Sequence, residues 1–330
     1  FLFFNSIFIN SLNANPVLQG TPYNAAGKFT FPYGLTFNDD GSKMYIVGMR
    51  SDKDLMAEYS LTTPYDVSTS SFVREVHEDD PFAAIKFRPQ DIRFNPSGSR
   101  MFISMFPGSG ANNGVKTFSL STSFDISTAS LLHTLYPTDS GRYDGLEFNA
   151  SGTKIFFADG DEIDEYTVST AFDLSSTVTY VRSLDISNKT SNSKSLAFSD
   201  DGTTLFVLSR DPRVIYEYVL TTGFDISSAT LVDEYDVEDE EKQPEGIAFN
   251  NNGTKVFITG TDGDPGSGND DEVNEYTLNN AAYNLAVPTL SSSSPSDNAT
   301  NVALDANIVL TFSERMDVEE GNITIKKTSG

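Results

Sequence analysis

A unit of about fifty residues recurs five times along this chain, and no fold that ignores the recurrence can accommodate it. The segment "GLTFNDDGSKMYIVG" at 34–48 returns as "DIRFNPSGSRMFISM" at 91–105 and "GLEFNASGTKIFFAD" at 145–159. It returns again as "SLAFSDDGTTLFVLS" at 195–209 and "GIAFNNNGTKVFITG" at 246–260. A second motif keeps the same beat: "EYSLTTPYDVS" (58–68), "TFSLSTSFDIS" (117–127), "EYTVSTAFDLS" (165–175), "EYVLTTGFDIS" (217–227) and the weaker "EYTLNNAAYNLA" (275–286). One supersecondary element is therefore used five times.

Each unit reads as four strands. Leu35 and Phe37 alternate with polar neighbours at the strand period of two. A tight turn ending in Gly41 follows, then the β-prone run "KMYIVG", then "EYSL", a second connection and "SFVREV". No segment carries a sustained 3.6-residue apolar period, so almost no helix is expected. Tandem four-stranded units of this length are the signature of propeller blades. The expected fold is all-β: a β-propeller of about five four-stranded blades over 16–286, with repeats near 34–80, 91–138, 145–186, 195–237 and 246–286. The fifth copy supplies only three strands. An open ring would leave exposed edges, so "PVLQGT" (16–21) is expected to close the last blade.

The copies also separate turn residues from chemistry. After the strand Phe stand Asn38-Asp39-Asp40, Asn95-Pro96-Ser97, Asn149-Ala150-Ser151, Ser199-Asp200-Asp201 and Asn250-Asn251-Asn252, always followed by Gly. A ligand carboxylate would not exchange with Pro, Ala and Ser, whereas a turn with a left-handed Gly tolerates the exchange. By the same test the pairs Tyr65-Asp66, Phe124-Asp125, Phe172-Asp173 and Phe224-Asp225 read as an aromatic packing plug followed by a turn-capping acid.

The loops between the second and third strands do not repeat, and variable loops on a fixed scaffold are where binding usually lies. The longest carries Asp262, Asp264, Asp270, Asp271 and Glu272 among glycines. Oxygen ligands on a flexible loop suit Ca2+, although the spacing is not that of an EF-hand. A second candidate metal set is the ring just before the inner strands: Asp91, Asp144 and Glu245. Tyr33, Gln90, Tyr143 and Lys194 are expected beside it as a ligand face. His77 and His133 stand in no motif.

Partners are bounded by charge. Twenty-two basic and 47 acidic residues give a formal charge of −25, which argues against nucleic acid and anionic membranes. No cysteine is present, so there is no disulfide or thiolate chemistry. The start, "FLFFNSIFINSLNANPV", reads as the back half of a secretory signal peptide over 1–15 and is too short to span a membrane.

Beyond Leu285 the composition changes. Ser294-Pro295 with Asp297, Ala299 and Val302, then the strand Ile308–Phe312 running into Ser313-Glu314 and Met316, resembles the start of a bacterial Ig-like domain of the S-layer-associated type. Residues 287–330 are fewer than the roughly 100 of such a sandwich, so they would be its N-terminal part, poorly ordered or extended. The repeat region resembles the propellers of secreted bacterial surface proteins. The resemblance implies a monomeric propeller within a longer multidomain chain at the cell surface. It would bind a glycan or protein on its acidic loop face, with Ca2+ as the one cofactor expected and no enzymatic activity. Two alternatives stay open. One is a metal-dependent hydrolase or lactonase with Asp91, Asp144 and Glu245 around a channel cation; the other is a structural component without a specific site.

Overall fold

The computed structural model describes residues 17–18, 23–24, 28–51, 53–77, 88–106, 113–137, 141–238, 241–251, 253–261, 272–277, 290–294 and 309–312. The chain divides into two units, one spanning Ser11–Leu285 and the other containing Ala286–Gly330. The larger unit opens with two short strands, β1 (Val17–Leu18) and β2 (Tyr23–Asn24). Blade 1 is β3 (Phe31–Phe37), β4 (Lys43–Arg50), β5 (Lys53–Leu61) and β6 (Ser70–His77). Blade 2 is β7 (Pro89–Phe94), β8 (Arg100–Met105), β9 (Gly114–Leu120) and β10 (Ala129–Leu135). Blade 3 is β11 (Gly145–Phe148), β12 (Lys154–Asp159), β13 (Glu162–Val168) and β14 (Val178–Asp185). Blade 4 is β15 (Ser193–Phe198), β16 (Thr204–Arg210), β17 (Arg213–Leu220) and β18 (Ala229–Asp236). Blade 5 takes β19 (Gln243–Phe249), β20 (Lys255–Thr261) and β21 (Glu272–Thr277) from the C-terminal side.

Every blade is an antiparallel meander, and the five form a propeller. The inner strands β3, β7, β11, β15 and β19 touch in that order, and β19 returns to β3. The N-terminus closes the ring, as the sequence predicts, but in two pieces. Val17 and Leu18 pair with Thr277 and Tyr276, and Tyr23 and Asn24 pair with Val273 and Glu272. Five apolar clusters hold the ring, each built from two neighbouring blades. Leu35 and Met44 of blade 1 pack with Phe257 and Val273 of blade 5, for example, and Tyr45 and Val47 pack with Ile92 and Met101 of blade 2. Burial of this apolar surface is the main stabilising term, at roughly 25 cal/mol per Å².

The repeated motifs do the work expected of them. Gly41, Gly98, Gly152 and Gly202 all have positive φ, and a Cβ on any of them would run into the ring of Tyr65, Phe124, Phe172 or Phe224. The glycine is thus required twice, for the left-handed turn and for the aromatic seated on it. The acids that follow these aromatics cap short 3-10 turns: Asp66, Asp125 and Asp225 accept from the backbone N–H of Ser68, Ser127 and Ser227.

A polar clasp crosses three of the seams. Lys43 Nζ donates to Glu58 in its own blade and to the carbonyl of Phe124 in blade 2. Lys154 does the same to Glu165 and the Phe224 carbonyl, and Lys255 reaches the Tyr65 carbonyl across the closing seam. Arg74 and Arg182 complete the first two clasps by pairing with Asp125 and Asp225.

Blade 4 breaks the pattern. Thr204 stands in place of the lysine, and Asp233 faces Glu217 where Arg74 faces Glu58. Glu217 instead accepts from the Tyr235 hydroxyl. Burial pushes its carboxyl above the ordinary range, Tyr235 lowers it and Asp233 raises it further. A carboxyl with a raised folded pKa contributes stability that is complete below its unfolded value and is lost as pH rises through the folded one. At pH 8 the ionised group is therefore a net cost, which a neutral amide removes. Glu217→Gln is expected to raise the melting temperature at pH 8, because it removes the ionised form that burial disfavours. No gain is expected at pH 4. Paired melts of the variant and the parent at both pH values check this, and an equal change at both would refute it.

In the second unit, β22 (Leu290–Ser294) and β23 (Val309–Phe312) form an antiparallel pair. The latter coincides with the strand expected from the Ig-like pattern.

Candidate functional site

The propeller has two faces. On the loop face lie the second-to-third strand loops and the blade-to-blade connections. On the turn face lie the Asx-Gly turns and the aromatic–Asp connections. Sequence reasoning placed the candidate residues on the loop face, and the structure distributes them as follows.

Asp144, Lys194 and Glu245 come together. Lys194 Nζ lies 3.0 Å from Asp144 and 3.7 Å from Glu245. Arg142 Nε stands 2.9 Å from Asp144, and Arg210 donates to Glu245 at 2.5 Å. Lys194, Asp144 and Glu245 are all buried. Burial pushes the Glu245 carboxyl up, while Lys194 and Arg210 pull it back down. The result is an alternating chain, Arg142–Asp144–Lys194–Glu245–Arg210, in which protein cations take the carboxylate oxygens that a metal would need. The ring of carboxylates thus fits an internal salt network and not a shared cation.

Asp91 belongs elsewhere. It is fully buried in the channel, and its Oδ1 pairs with Arg93 at 2.7 Å. Its Oδ2 accepts from the Leu146 N–H at 3.2 Å and from Ser195 Oγ at 3.1 Å. The expected ligand-face residues turn into the walls. Tyr143 is 1% exposed, packs at a tilt against Phe157 and has its hydroxyl 3.4 Å from that of Tyr166. Gln90 is buried and donates to the Arg88 carbonyl. Tyr33 donates to Met49 Sδ at 3.6 Å, and burial raises its hydroxyl to about 12. These residues look like pocket residues in sequence because they precede the inner strands. β3 and β7 begin earlier than the motif suggests and take in Tyr33 and Gln90, while Tyr143 is buried in the connection just before β11. His77 lies on β6 beside Glu75 and Arg50, and His133 lies on β10. Asp262, Asp264, Asp270 and Asp271 lie outside the described residues. Glu272 opens β21 and pairs with Asn24 and Gly260, but its side chain also lies outside them.

The residue that dominates the channel is Arg93, which sequence reasoning passed over. Its guanidinium donates to the carbonyls of Leu35 (3.2 Å), Ile92 (2.8 Å), Leu196 (3.0 Å) and Ile247 (3.3 Å). Its Nε donates to Glu147 at 2.8 Å. One side chain on β7 therefore reaches the inner strand of every blade. Burial opposes its charge, but Asp91 and Glu147 outweigh that and raise its pKa. The signal lay in the repeat: at the position of Arg93 and Glu147 the other copies have Thr36, Ala197 and Ala248.

Below this plug, on the turn face, a blind cup of about 210 Å³ remains. Arg93, Glu147, Ala197 and Ala248 form its floor, and Tyr65, Phe124 and the inner-strand Phe37, Phe94 and Phe249 contribute to its walls. It is smaller than the roughly 300–1,000 Å³ of pockets for drug-sized ligands, so it suits one side chain or one small head group. Among the described residues no three acidic or imidazole side chains converge as a metal site. Among them, too, no helix is long and apolar enough to cross a membrane.

Residues 286–330 match the bacterial Ig-like domain family. No curated protein matches the sequence. Solved structures similar to the chain include a functionally unknown protein from Desulfotomaculum acetoxidans (12% identity, TM-score 0.42, covering 71% of this chain and 64% of that one). They also include Sqt1 from Chaetomium thermophilum (17%, 0.41, 74% and 58%) and the periplasmic gluconolactonase of Pseudomonas aeruginosa (14%, 0.41, 75% and 70%). The chain spans less than two thirds of the first two. Likenesses at this level carry no argument about activity.

Proposed function

We propose that the chain is a recognition module of a secreted or cell-surface protein, with the propeller as binding scaffold and the Ig-like segment as part of a spacer. One observation carries the reading: the buried Arg93 side chain ties the inner strands of all five blades together across the channel, so a ligand would meet the ring at one of its two faces. The signal-like start, the Ig-like match and the strong acidity agree with an extracellular binding role. A hydrolytic centre at the loop-face mouth would need Asp91, Asp144 and Glu245 free to hold a cation. Each instead pairs with an Arg or Lys.

The labelled whole chain, tested on arrays of glycans and of surface-protein peptides, should show saturable binding to one ligand class. The heat-unfolded chain should show none. Binding no greater than that of the unfolded chain on both arrays would remove the recognition reading and leave a structural component.

A further inference from the structure

Blade 2 departs from the polar clasp in the opposite sense to blade 4: it keeps donors and lacks their acceptor. In blades 1, 3 and 5 a buried glutamate on the third strand stands at the centre of the clasp. Glu58, Glu165 and Glu275 accept from Lys43, Lys154 and Lys255 at 2.9, 2.7 and 2.5 Å. The second oxygens of Glu58 and Glu165 lie 3.5 and 3.6 Å from Arg74 Nε and Arg182 Nε. The second oxygen of Glu275 reaches across its seam and accepts from the Val67 N–H of blade 1 at 3.1 Å. One carboxylate therefore gathers side-chain cations of its own blade and faces a turn N–H of the next.

Thr117 takes the glutamate's place in blade 2. It lies opposite His133, as Glu58 lies opposite Arg74. Arg100 takes the lysine's place, two residues after the turn glycine, as Lys43 follows Gly41. Arg100 pairs with Ser119, two residues along β9 from Thr117, so Arg100, Thr117 and His133 share one face of the sheet. Thr117 is 1% exposed, and among the described residues its Oγ1 has no hydrogen-bond partner. Across the seam, the N–H that matches Val67 is that of Leu174, also 1% exposed and without an acceptor among the described residues. Arg100 reaches Asp173 at 3.5 Å, and Asp173 already accepts from the Ser175 N–H and hydroxyl. A hydroxyl, a backbone N–H and a guanidinium thus meet where the other clasps supply a negative charge.

We propose that the seam between blades 2 and 3 holds a small monovalent anion of the halide class, chloride in a saline medium, in the place of the clasp carboxylate. The ion accepts from Arg100, the Thr117 hydroxyl and the Leu174 N–H, and His133 adds a ring N–H. Buried donors left without acceptors are costly, and a charged acceptor satisfies them best. Threonine ends where glutamate continues to its carboxylate, so the ion restores the charge that the substitution removes. Asp173 beside Arg100 opposes it, so the site responds to bulk salt and not to trace ions. The inference concerns the ring itself and does not depend on the recognition-module reading.

The test melts the whole chain in sodium chloride and in sodium gluconate at matched ionic strength, which cancels general screening. The melting temperature is expected to rise saturably with chloride, ending a few degrees above gluconate. Line broadening of the chlorine NMR resonance by the protein should saturate over the same range. Thr117→Glu supplies the carboxylate that blades 1, 3 and 5 carry. It should raise melting in gluconate and abolish the chloride-specific rise. Arg100→Gln should abolish that rise as well, and Thr117→Val should reduce it; these two variants decide if the glutamate variant does not fold. Equal melting of the parent in the two salts would overturn the inference. So would a chloride response of full size in Arg100→Gln and Thr117→Val, which would place the ion elsewhere.

Discussion

Replacing Arg93 by Met will destabilise the propeller by about 3–5 kcal/mol, the usual consequence of stranding a buried charge partner. For a domain of this size that is a fall of roughly 10 °C in melting temperature. The variant leaves Asp91 and Glu147 without their cation and the carbonyls of Leu35, Leu196 and Ile247 without a donor. The deficit should depend on pH with a definite sign. Burial already raises Asp91 to about 6 in the intact protein, against the pull of Arg93. Without Arg93 it rises further, so the folded variant takes up a proton more readily than the unfolded chain. Stability is then retained at low pH and lost as pH rises through the folded value. Melting at pH 5 and pH 8 should show the variant recovering on acidification more than the parent does. The combined change Asp91→Ser, Arg93→Met and Glu147→Ala, whose Ser and Ala copy residues found at those positions in other blades, should regain most of the loss, since removing a whole buried network costs far less than breaking it. A single Arg93→Met variant within about 1 kcal/mol of the parent would show that the guanidinium does not hold the inner strands.

The blades were legible in the sequence because each is a local statement. Gly152 and Phe172 sit in one copy, touch in one copy and recur in the others, so period and turn chemistry together exposed them. Closure by the N-terminus was legible because the fifth copy lacked a fourth strand and the segment 16–21 precedes the first inner strand as "SFVREV" precedes the second. The candidate site was less legible, because it depends on where strands begin. Gln90 is placed by the extra residues at the start of β7 and Tyr143 by the connection into β11, and neither stretch carries a motif. Lys194 was taken for a ligand-face residue, but its role depends on Asp144 and Glu245 from two other blades. Arg93 could have been found, since a charged residue replaces Thr or Ala at a repeated inner position. Its five-way bonding could not, because no sequence pattern encodes a point where all blades meet. Asp39 and Asp40 are the instructive case. The repeat correctly marks both as replaceable, yet only Asp40 is occupied by the turn, and the geometry leaves Asp39 facing the cup.

Gly34→Val will force neighbouring inner strands apart. Gly34, Asp91, Gly145, Ser195 and Gly246 hold the same repeat position, one from each blade. A Cβ on Gly34 would overlap the Asp91 Cα and come within 2.7 Å of both Asp91 Oδ1 and the Gln90 carbonyl. On Gly145 it would meet the Ser195 Cα at 2.6 Å and the Lys194 carbonyl at 2.8 Å. The Asp91 Cα and the Gln90 carbonyl are backbone, so no rotamer change relieves them, and β3 must move away from β7. Separating the two strands also lengthens the Arg93 bond to Leu35 and disturbs the Asp91 pair. Overpacking a tight core costs about 1–3 kcal/mol, occasionally more, and the coupling to Arg93 places Gly34→Val at the upper end. Asp91 and Ser195 show how side chains are allowed at two of the five places: the Ser195 hydroxyl donates to Asp91 Oδ2. Ser195→Gly should therefore be tolerated sterically and lose only that bond, about 1 kcal/mol. Denaturant unfolding of both variants distinguishes the effects. If Gly34→Val proves no worse than Ser195→Gly, the inner strands have room to separate, and the channel is not closed by backbone contact at this level.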